Sequence, residues 1–153
     1  KLLLVGKSFL NDRLPETTAI NAVISGLSDP GSVIKTGYVP DEELVTLYKN
    51  ALCLVQPSLY EGFGLPVLEA MLAGCPVVTT NGGSLPEIAG PSIITDPTVE
   101  GLSEGFGRMM ELSGGHRELM IDKGKKWAKG FTWEKTARET VEAYRKVIGG
   151  LDK

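Results

Sequence analysis

A chain of 153 residues, 42% apolar and 23% charged, has the size and balance of one globular domain with a substantial core. Its net charge of −3, with no basic face, excludes nucleic acid as the main partner, and no apolar run approaches the roughly 20 residues of a membrane span. Two cysteines and one histidine are too few ligands for a zinc site. Cys53 and Cys75 read instead as buried free thiols of a reducing compartment, and His116 as a surface residue.

The chain opens without Met on the apolar run Lys1–Val5, which predicts a short buried strand and a piece cut from a longer protein. Pro15 and Glu16 start a helix in which Ile20, Val23, Ile24 and Leu27 recur at helical spacing. Asp29-Pro30-Gly31 breaks it, and Ser32–Thr36 is a second strand closed by Gly37. At Pro40-Asp41-Glu42-Glu43 a helix starts with Asp41 as its expected cap, the acids lying where the dipole favours them. Leu44, Val45, Leu47 and Tyr48 form its apolar face. Ala51–Gln56 is a third strand, apolar nearly throughout, as in a parallel sheet covered on both faces. The helix Pro66–Ala73 opens on proline and closes on Gly74, and Cys75–Thr80 is a fourth strand. Ser84-Leu85-Pro86-Glu87 has the capping-box pattern of a short helix, and Ser92–Thr95 is a fifth strand. From Val99 onward only helices are predicted. Gly101–Leu112 is weakened by three glycines, and Arg117–Lys129 is basic and amphipathic. In Thr132–Ile148, the stripe Trp133, Ala137, Val141, Tyr144 and Ile148 predicts a helix docked on the domain.

Strands alternating with helices predict an α/β, doubly wound (Rossmann-like) fold. Its mostly parallel sheet has about five strands flanked by helices, with a helical C-terminal third, 99–153, packed on a single domain. Ligands of such folds bind at the carboxyl ends of the strands. Those ends carry Gly6-Lys7-Ser8, Gly37-Tyr38-Val39-Pro40, Pro57–Gly64 and Asn81-Gly82-Gly83, so one crevice is expected to collect all four loops. The helix opening at Leu65-Pro66 points free N–H groups at whatever lies before it, and Gly62 and Gly64 let that backbone approach closely, which suits a diphosphate. Glu61 would repel phosphate and so belongs beside it, facing a neutral hydroxylated group such as a sugar; alternatively it caps its own loop. Glu69 suits a ribose diol, or is simply an acid stabilised near the helix start. Tyr60 and Phe63 are candidate core plugs, with Phe63 packing under the loop. Gly82-Gly83-Ser84 offers a second anion site or an ordinary tight turn, and Lys7 a phosphate contact or a solvated cation. A glycosidase carboxylate pair is set aside, since nothing supplies a substrate cleft on one small doubly wound domain.

The run Pro57-Ser58-Leu59-Tyr60-Glu61-Gly62-Phe63-Gly64-Leu65-Pro66-Val67-Leu68-Glu69-Ala70-Met71 resembles the Glu-x7-Glu signature of the retaining GT-B glycosyltransferases of family four, group 1 type, which includes many mannosyl- and glucosyltransferases. Ala73-Gly74-Cys75-Pro76-Val77-Val78, Ser84-Leu85-Pro86-Glu87, Gly37–Leu44 with Leu47-Tyr48, and Phe131-Thr132-Trp133 extend the resemblance over nearly the whole chain. It implies that Glu61 contacts the donor sugar near its reacting carbon. The backbone of Gly62, Phe63, Gly64 and Leu65 would offer amides to the sugar and diphosphate. Glu69 would bind the ribose, Val39 and Pro40 would flank the base, and Ser58 and Tyr38 would belong to the same donor site. The implied donor is a nucleoside diphosphate sugar, GDP-mannose or a UDP-hexose, with no cofactor and no metal. The parent enzyme would act in the cytoplasm or at the cytoplasmic face of a membrane, associated peripherally.

The chain departs from the family in beginning at what corresponds to the second strand. The Arg and Lys-Gly pair that clamp the diphosphate are therefore absent, and Lys7 does not match them. The family's first strand lies mid-sheet, so its neighbours are expected to pair, or the gap to be filled by the missing segment or by a second copy. The acceptor-binding N-terminal domain is missing as well, and the chain alone is expected to be an inactive donor-binding half. Two rivals are a non-catalytic nucleotide-sugar module and a sugar-nucleotide epimerase. The Glu-x7-Glu spacing favours the transferase over the epimerase.

Overall fold

The computed structural model describes residues 1–151 as two compact units that divide between Thr46 and Leu47. In the first unit, β1 (Leu2–Val5) and β2 (Val33–Gly37) pair in parallel, with Leu2 opposite Val33 and a register shift between Leu4 and Val5. A parallel pair needs a crossover, and α1 (Pro15–Ser25) makes it, with Pro15 in the first turn, where a missing N–H costs nothing. Buried Thr17 donates from Oγ1 to the Ser8 carbonyl at 2.9 Å, holding the 3-10 turn Lys7–Leu10 against α1. Lys35 Nζ donates to Asn21 Oδ1 at 2.8 Å and ties β2 to the same helix. The first strand is not the buried one expected: Leu2, Leu3, Val5 and Ile34 stay between 38% and 52% exposed. Two strands supply too few neighbours to cover both faces.

The helix α2 (Asp41–Asn50) crosses from one unit to the next. Leu44 N–H bonds the Pro40 carbonyl at 2.8 Å, so Pro40 takes the cap position. Asp41 is therefore not the cap; it lies in the first turn with Glu42 and Glu43, where their charge still complements the dipole.

In the second unit, β3 (Leu54–Gln56), β4 (Val77–Thr80) and β5 (Ile93–Thr95) form a parallel sheet with β4 in the middle. Leu54 stands opposite Val77, and Val78 opposite Ile93. All four residues of β4 are buried, which accounts for its apolar and β-branched sequence. The five strands thus form a two-stranded and a three-stranded parallel sheet rather than one sheet. Val78, Ile93 and Met109 make a core cluster, flanked by Cys53, Val55, Leu112 and Met120. On one side lies α3 (Leu65–Ala73), which buries Val67, Leu68, Ala70 and Met71. α5 (Val99–Glu111) packs on β4 and β5. Its glycines, a weakness on propensity, include one that packing requires: a Cβ on Gly105 would lie 2.6 Å from Thr95 Cγ2 and 3.0 Å from Val78 Cγ1.

α4 (Leu85–Ile88) is a single turn after β4. α6 (Gly114–Ala128) packs against α3, and Arg117 at its start donates to the carbonyls of Ala51 and Leu52 just before β3. Near its end, Trp127 Nε1 donates to the Ile88 carbonyl at 2.8 Å. α7 (Trp133–Leu151) follows Thr132, whose Oγ1 accepts from Lys135 N–H at 3.1 Å as an N-cap. The expectation that the C-terminal third packs on the domain is not met by α7. Trp133 is 76% exposed and Tyr144, Val147 and Ile148 are exposed too, so the stripe has the periodicity of a docked helix without a docking surface among the described residues.

Candidate functional site

The loop 57–64 leaves the end of β3 and runs into α3. Its central side chain is Glu61. Ser58 Oγ donates to Glu61 Oε1 at 2.7 Å, and Gln56 Nε2 donates to the same oxygen at 2.8 Å and to Ser58 Oγ at 2.9 Å. Both donors converge on Oε1, and Oε2 carries no hydrogen bond among the described residues. The loop backbone is held from β4 and the turn after it. Buried Thr80 donates from Oγ1 to the Ser58 carbonyl, and Thr79 Oγ1 to the Gln56 carbonyl at 3.1 Å. Ser84 N–H and Oγ both donate to the Glu61 carbonyl at 3.1 Å, and Ser84 Oγ also reaches the Phe63 carbonyl at 2.8 Å.

These bonds correct the capping-box reading of Ser84. Its hydroxyl is spent on the 61–63 backbone, and no side-chain cap forms on α4. Gly82 and Gly83 are glycines for the same packing: a Cβ on Gly82 would overlap the Leu59 carbonyl, and one on Gly83 the Glu61 carbonyl. That close approach accounts for the glycine pair without an anion.

Gly64 caps α3 in the left-handed region, φ 101°, with no side-chain cap bond at this helix start. The helix start therefore carries a partial positive charge; Pro66 has no N–H and the Val67 N–H donates to the Gly64 carbonyl at 3.0 Å, so any N–H offered to a ligand here comes from the residues before Pro66. Phe63 is half-exposed and meets Phe131 edge to face, centroids 6.3 Å apart; Phe131 in turn meets Trp127 at 5.7 Å. Phe63 thus packs on Phe131 rather than closing a core. Tyr60, 78% exposed, is not a core plug. Leu65 is exposed at the helix start, and Gly62 is exposed with nothing within 4 Å of where a Cβ would lie.

Glu69 is exposed on α3, one turn in. Its charge reaches Tyr48, whose phenol is pushed up to about 12, first by burial, then by the Glu69 carboxylate, then by Cys75. Burial, then Cys53, pushes the Cys75 thiol up to about 11. Both groups are acids held neutral, so their contribution to stability is complete below the unfolded values of 10.0 and 9.0 and is lost as pH rises through the folded ones. Denaturant midpoints are therefore expected to fall between about pH 9 and about pH 12, and Tyr48→Phe to flatten the upper part of that decline. A midpoint that stays level to about pH 11 contradicts this assignment.

In the first unit, Lys7 and Tyr38 lie on the loops after β1 and β2. Lys7 Nζ sits over the Tyr38 ring, 4.8 Å from its centroid, a cation–π contact. Val39 and Pro40 complete the second of these loops before α2. The structure therefore brings Ser58, Glu61, Gly62, Phe63, Gly64 and Leu65 together with Gly82, Gly83 and Ser84, and pairs Lys7 with Tyr38. Sequence reasoning missed Gln56 and Thr80. A polar residue ending an apolar strand was the available signal for Gln56, while Thr80 looked like any β-branched strand residue.

A family model for the group 1 glycosyl transferases matches residues 1–127, from β1 to the end of α6. The chain belongs to this family. It is 44% identical over 111 residues to O-antigen chain mannosyltransferase B of Escherichia coli, covering 71% of the chain and 29% of that relative. It is 36% identical over 128 residues to the MMP alpha-(1->4)-mannosyltransferase of Mycolicibacterium hassiacum, covering 80% and 31%. Among solved structures it resembles sucrose-phosphate synthase of Thermosynechococcus elongatus, with a TM-score of 0.80 and 26% identity over 97% of the chain and 39% of that protein. The chain thus spans about three-tenths of the curated relatives it matches.

Elsewhere in the chain, His116 is exposed, with Nδ1 2.9 Å from Ser113 Oγ, and both cysteines are free. Among the described residues no three His, Cys, Asp or Glu side chains come together to hold a metal ion. No described helix is long and apolar enough to cross a membrane.

Proposed function

We propose that this chain is the donor-binding part of a retaining hexosyltransferase that moves mannose from GDP-mannose to an acceptor hydroxyl in polysaccharide or glycoconjugate synthesis. The observation that carries the reading is the fixed Glu61 carboxylate, with Oε1 anchored and Oε2 without a hydrogen bond among the described residues, on the loop that ends at the start of α3, which has no side-chain cap. A carboxylate beside a cationic helix start suits a ligand with hydroxyls next to a diphosphate. Glu61 then takes the sugar, the backbone of Gly62 to Leu65 the diphosphate, and Glu69 the ribose, with Tyr38, Val39 and Pro40 along the base. Rate enhancement comes from placing the donor and from N–H groups aimed at the charge that grows on the leaving diphosphate. Similarity to two mannosyltransferases supports mannose as the sugar. The acceptor is assigned to the part of the protein that this chain does not span. The two free thiols, Cys75 buried and Cys53 half-buried, support a reducing, cytoplasmic setting.

Calorimetry of the protein with GDP-mannose, UDP-glucose, GDP and UDP tests the reading. GDP-mannose is expected to bind more tightly than GDP. Tighter binding of UDP-glucose would move the donor to a UDP-hexose, and a folded protein that takes up none of the four overturns the proposal.

A further inference from the structure

The feature that the assigned roles leave unexplained is Gln56. It ends β3 opposite Thr79, half-buried, where the strand is otherwise apolar, and its amide points into the loop rather than across the sheet. One nitrogen, Nε2, serves two acceptors: Ser58 Oγ at 2.9 Å and Glu61 Oε1 at 2.8 Å. Ser58 Oγ in turn donates to Glu61 Oε1 at 2.7 Å. The three side chains close a ring in which every donor runs toward one carboxylate oxygen. The Gln56 backbone is fixed in turn, by the ladder to Thr79 and by the bond from Thr79 Oγ1.

We propose that Gln56 is a positioning residue for the sugar half of the site: it pins Glu61 Oε1 so that Oε2 alone is offered to the donor sugar. This inference rests on the assignment of Glu61 to the sugar. A carboxylate on a glycine-containing loop has several rotamers of similar energy, and each turn away from the productive one lowers apparent affinity by the fraction lost. Two donors on one oxygen select a single rotamer. Ser58 alone cannot, because its hydroxyl rotates freely and its oxygen is oriented by the Gln56 amide. The device acts on recognition of the sugar and leaves the nucleotide untouched, since Glu69 and the start of α3 lie beyond the ring.

Two variants test it, each with a readout that a merely structural residue would not move. Gln56→Leu keeps the volume and removes the donor. It is expected to weaken GDP-mannose about tenfold while GDP stays within about twofold, as for one lost hydrogen bond to a charged group. Equal weakening of both ligands would mean that Gln56 only supports the fold, and overturns the inference. Gln56→Glu places a second carboxyl about 3 Å from Glu61, and two carboxylates that close cannot both ionise readily. The introduced group therefore keeps its proton to higher pH than a free carboxyl, and while protonated its single O–H can donate to Glu61 Oε1 in place of the amide. Binding of GDP-mannose relative to GDP is expected to be near that of the unmodified protein at about pH 5 and at least about tenfold weaker at about pH 8, whereas Gln56→Leu shows no such recovery. A pH-independent ratio overturns the inference.

Carbon-13 titration of the carboxyls in Gln56→Glu reads the contact without any donor. A coupled pair supports the geometry, and two independent carboxyls overturn it. If the unmodified protein binds no sugar nucleotide, the wider reading fails, while this titration still decides whether Gln56 holds Glu61.

Discussion

Gly83→Ala is expected to dislodge the Glu61 loop and to destabilise the second unit by roughly 2–4 kcal/mol, the range of a steric clash combined with backbone strain. Gly83 holds φ 62°, and its would-be Cβ overlaps the Glu61 carbonyl and lies 2.9 Å from the Glu61 nitrogen. Both obstacles are backbone, so no side chain can turn aside. Relief requires the 58–64 segment to move, which breaks the Ser84 bonds to Glu61 and Phe63 and frees the carboxylate. Thermal or denaturant unfolding gives the first readout and GDP-mannose affinity the second. Gly62→Ala is the control. It lies in the same loop, but nothing approaches its would-be Cβ within 4 Å, so stability is expected to change by less than about 0.5 kcal/mol. If Gly83→Ala is as stable as Gly62→Ala, the close packing of the 82–84 turn on the loop is not what fixes it.

The second large effect separates the two glutamates. Glu61→Gln is expected to weaken GDP-mannose by about tenfold to a hundredfold and to leave GDP unchanged, the loss of a hydrogen bond to a charged acceptor. Glu69→Gln is expected to weaken GDP and GDP-mannose alike, since the ribose belongs to both ligands. It carries a second signature in the unliganded protein: without the Glu69 charge the Tyr48 phenol titrates at lower pH, visible by ultraviolet absorbance. Equal effects of both substitutions on both ligands would contradict the assigned roles. If Glu69→Gln moved the phenol but neither affinity, Glu69 would be a helix residue near Tyr48 and nothing more.

Much of this was legible in the residues because backbone rules govern it. Pro66 and Gly74 bracket α3, the apolar run Val77–Thr80 is the buried middle strand, and the alternation of strands and helices gives the α/β class. The glutamate loop was legible too, because its glycines and the helix start after it have few other uses. Less visible was everything decided by a partner far away in sequence. Ser84 has the pattern of a cap, yet its hydroxyl finds carbonyls 21 and 23 residues upstream. Gly82 and Gly83 suggest an anion nest until the loop they pack against is in place. The stripe on α7 has the period of a docked helix, and periodicity says which face is apolar but not whether anything covers it. Gln56 reads as the frayed end of a strand, and only its neighbours in space make it part of the site.

The supports of the Glu61 loop come from Gln56, Thr80, Ser84 and Phe131, all of them after Leu47, whereas Tyr38, Val39 and Pro40 come before it. On the proposed roles, the choice of sugar and the choice of base are written in separate stretches of the chain. Drift in one need not disturb the scaffold of the other. Such a layout lets a lineage exchange nucleotides while keeping its hexose, and suggests where to cut when grafting segments between relatives: in the middle of α2, between Thr46 and Leu47.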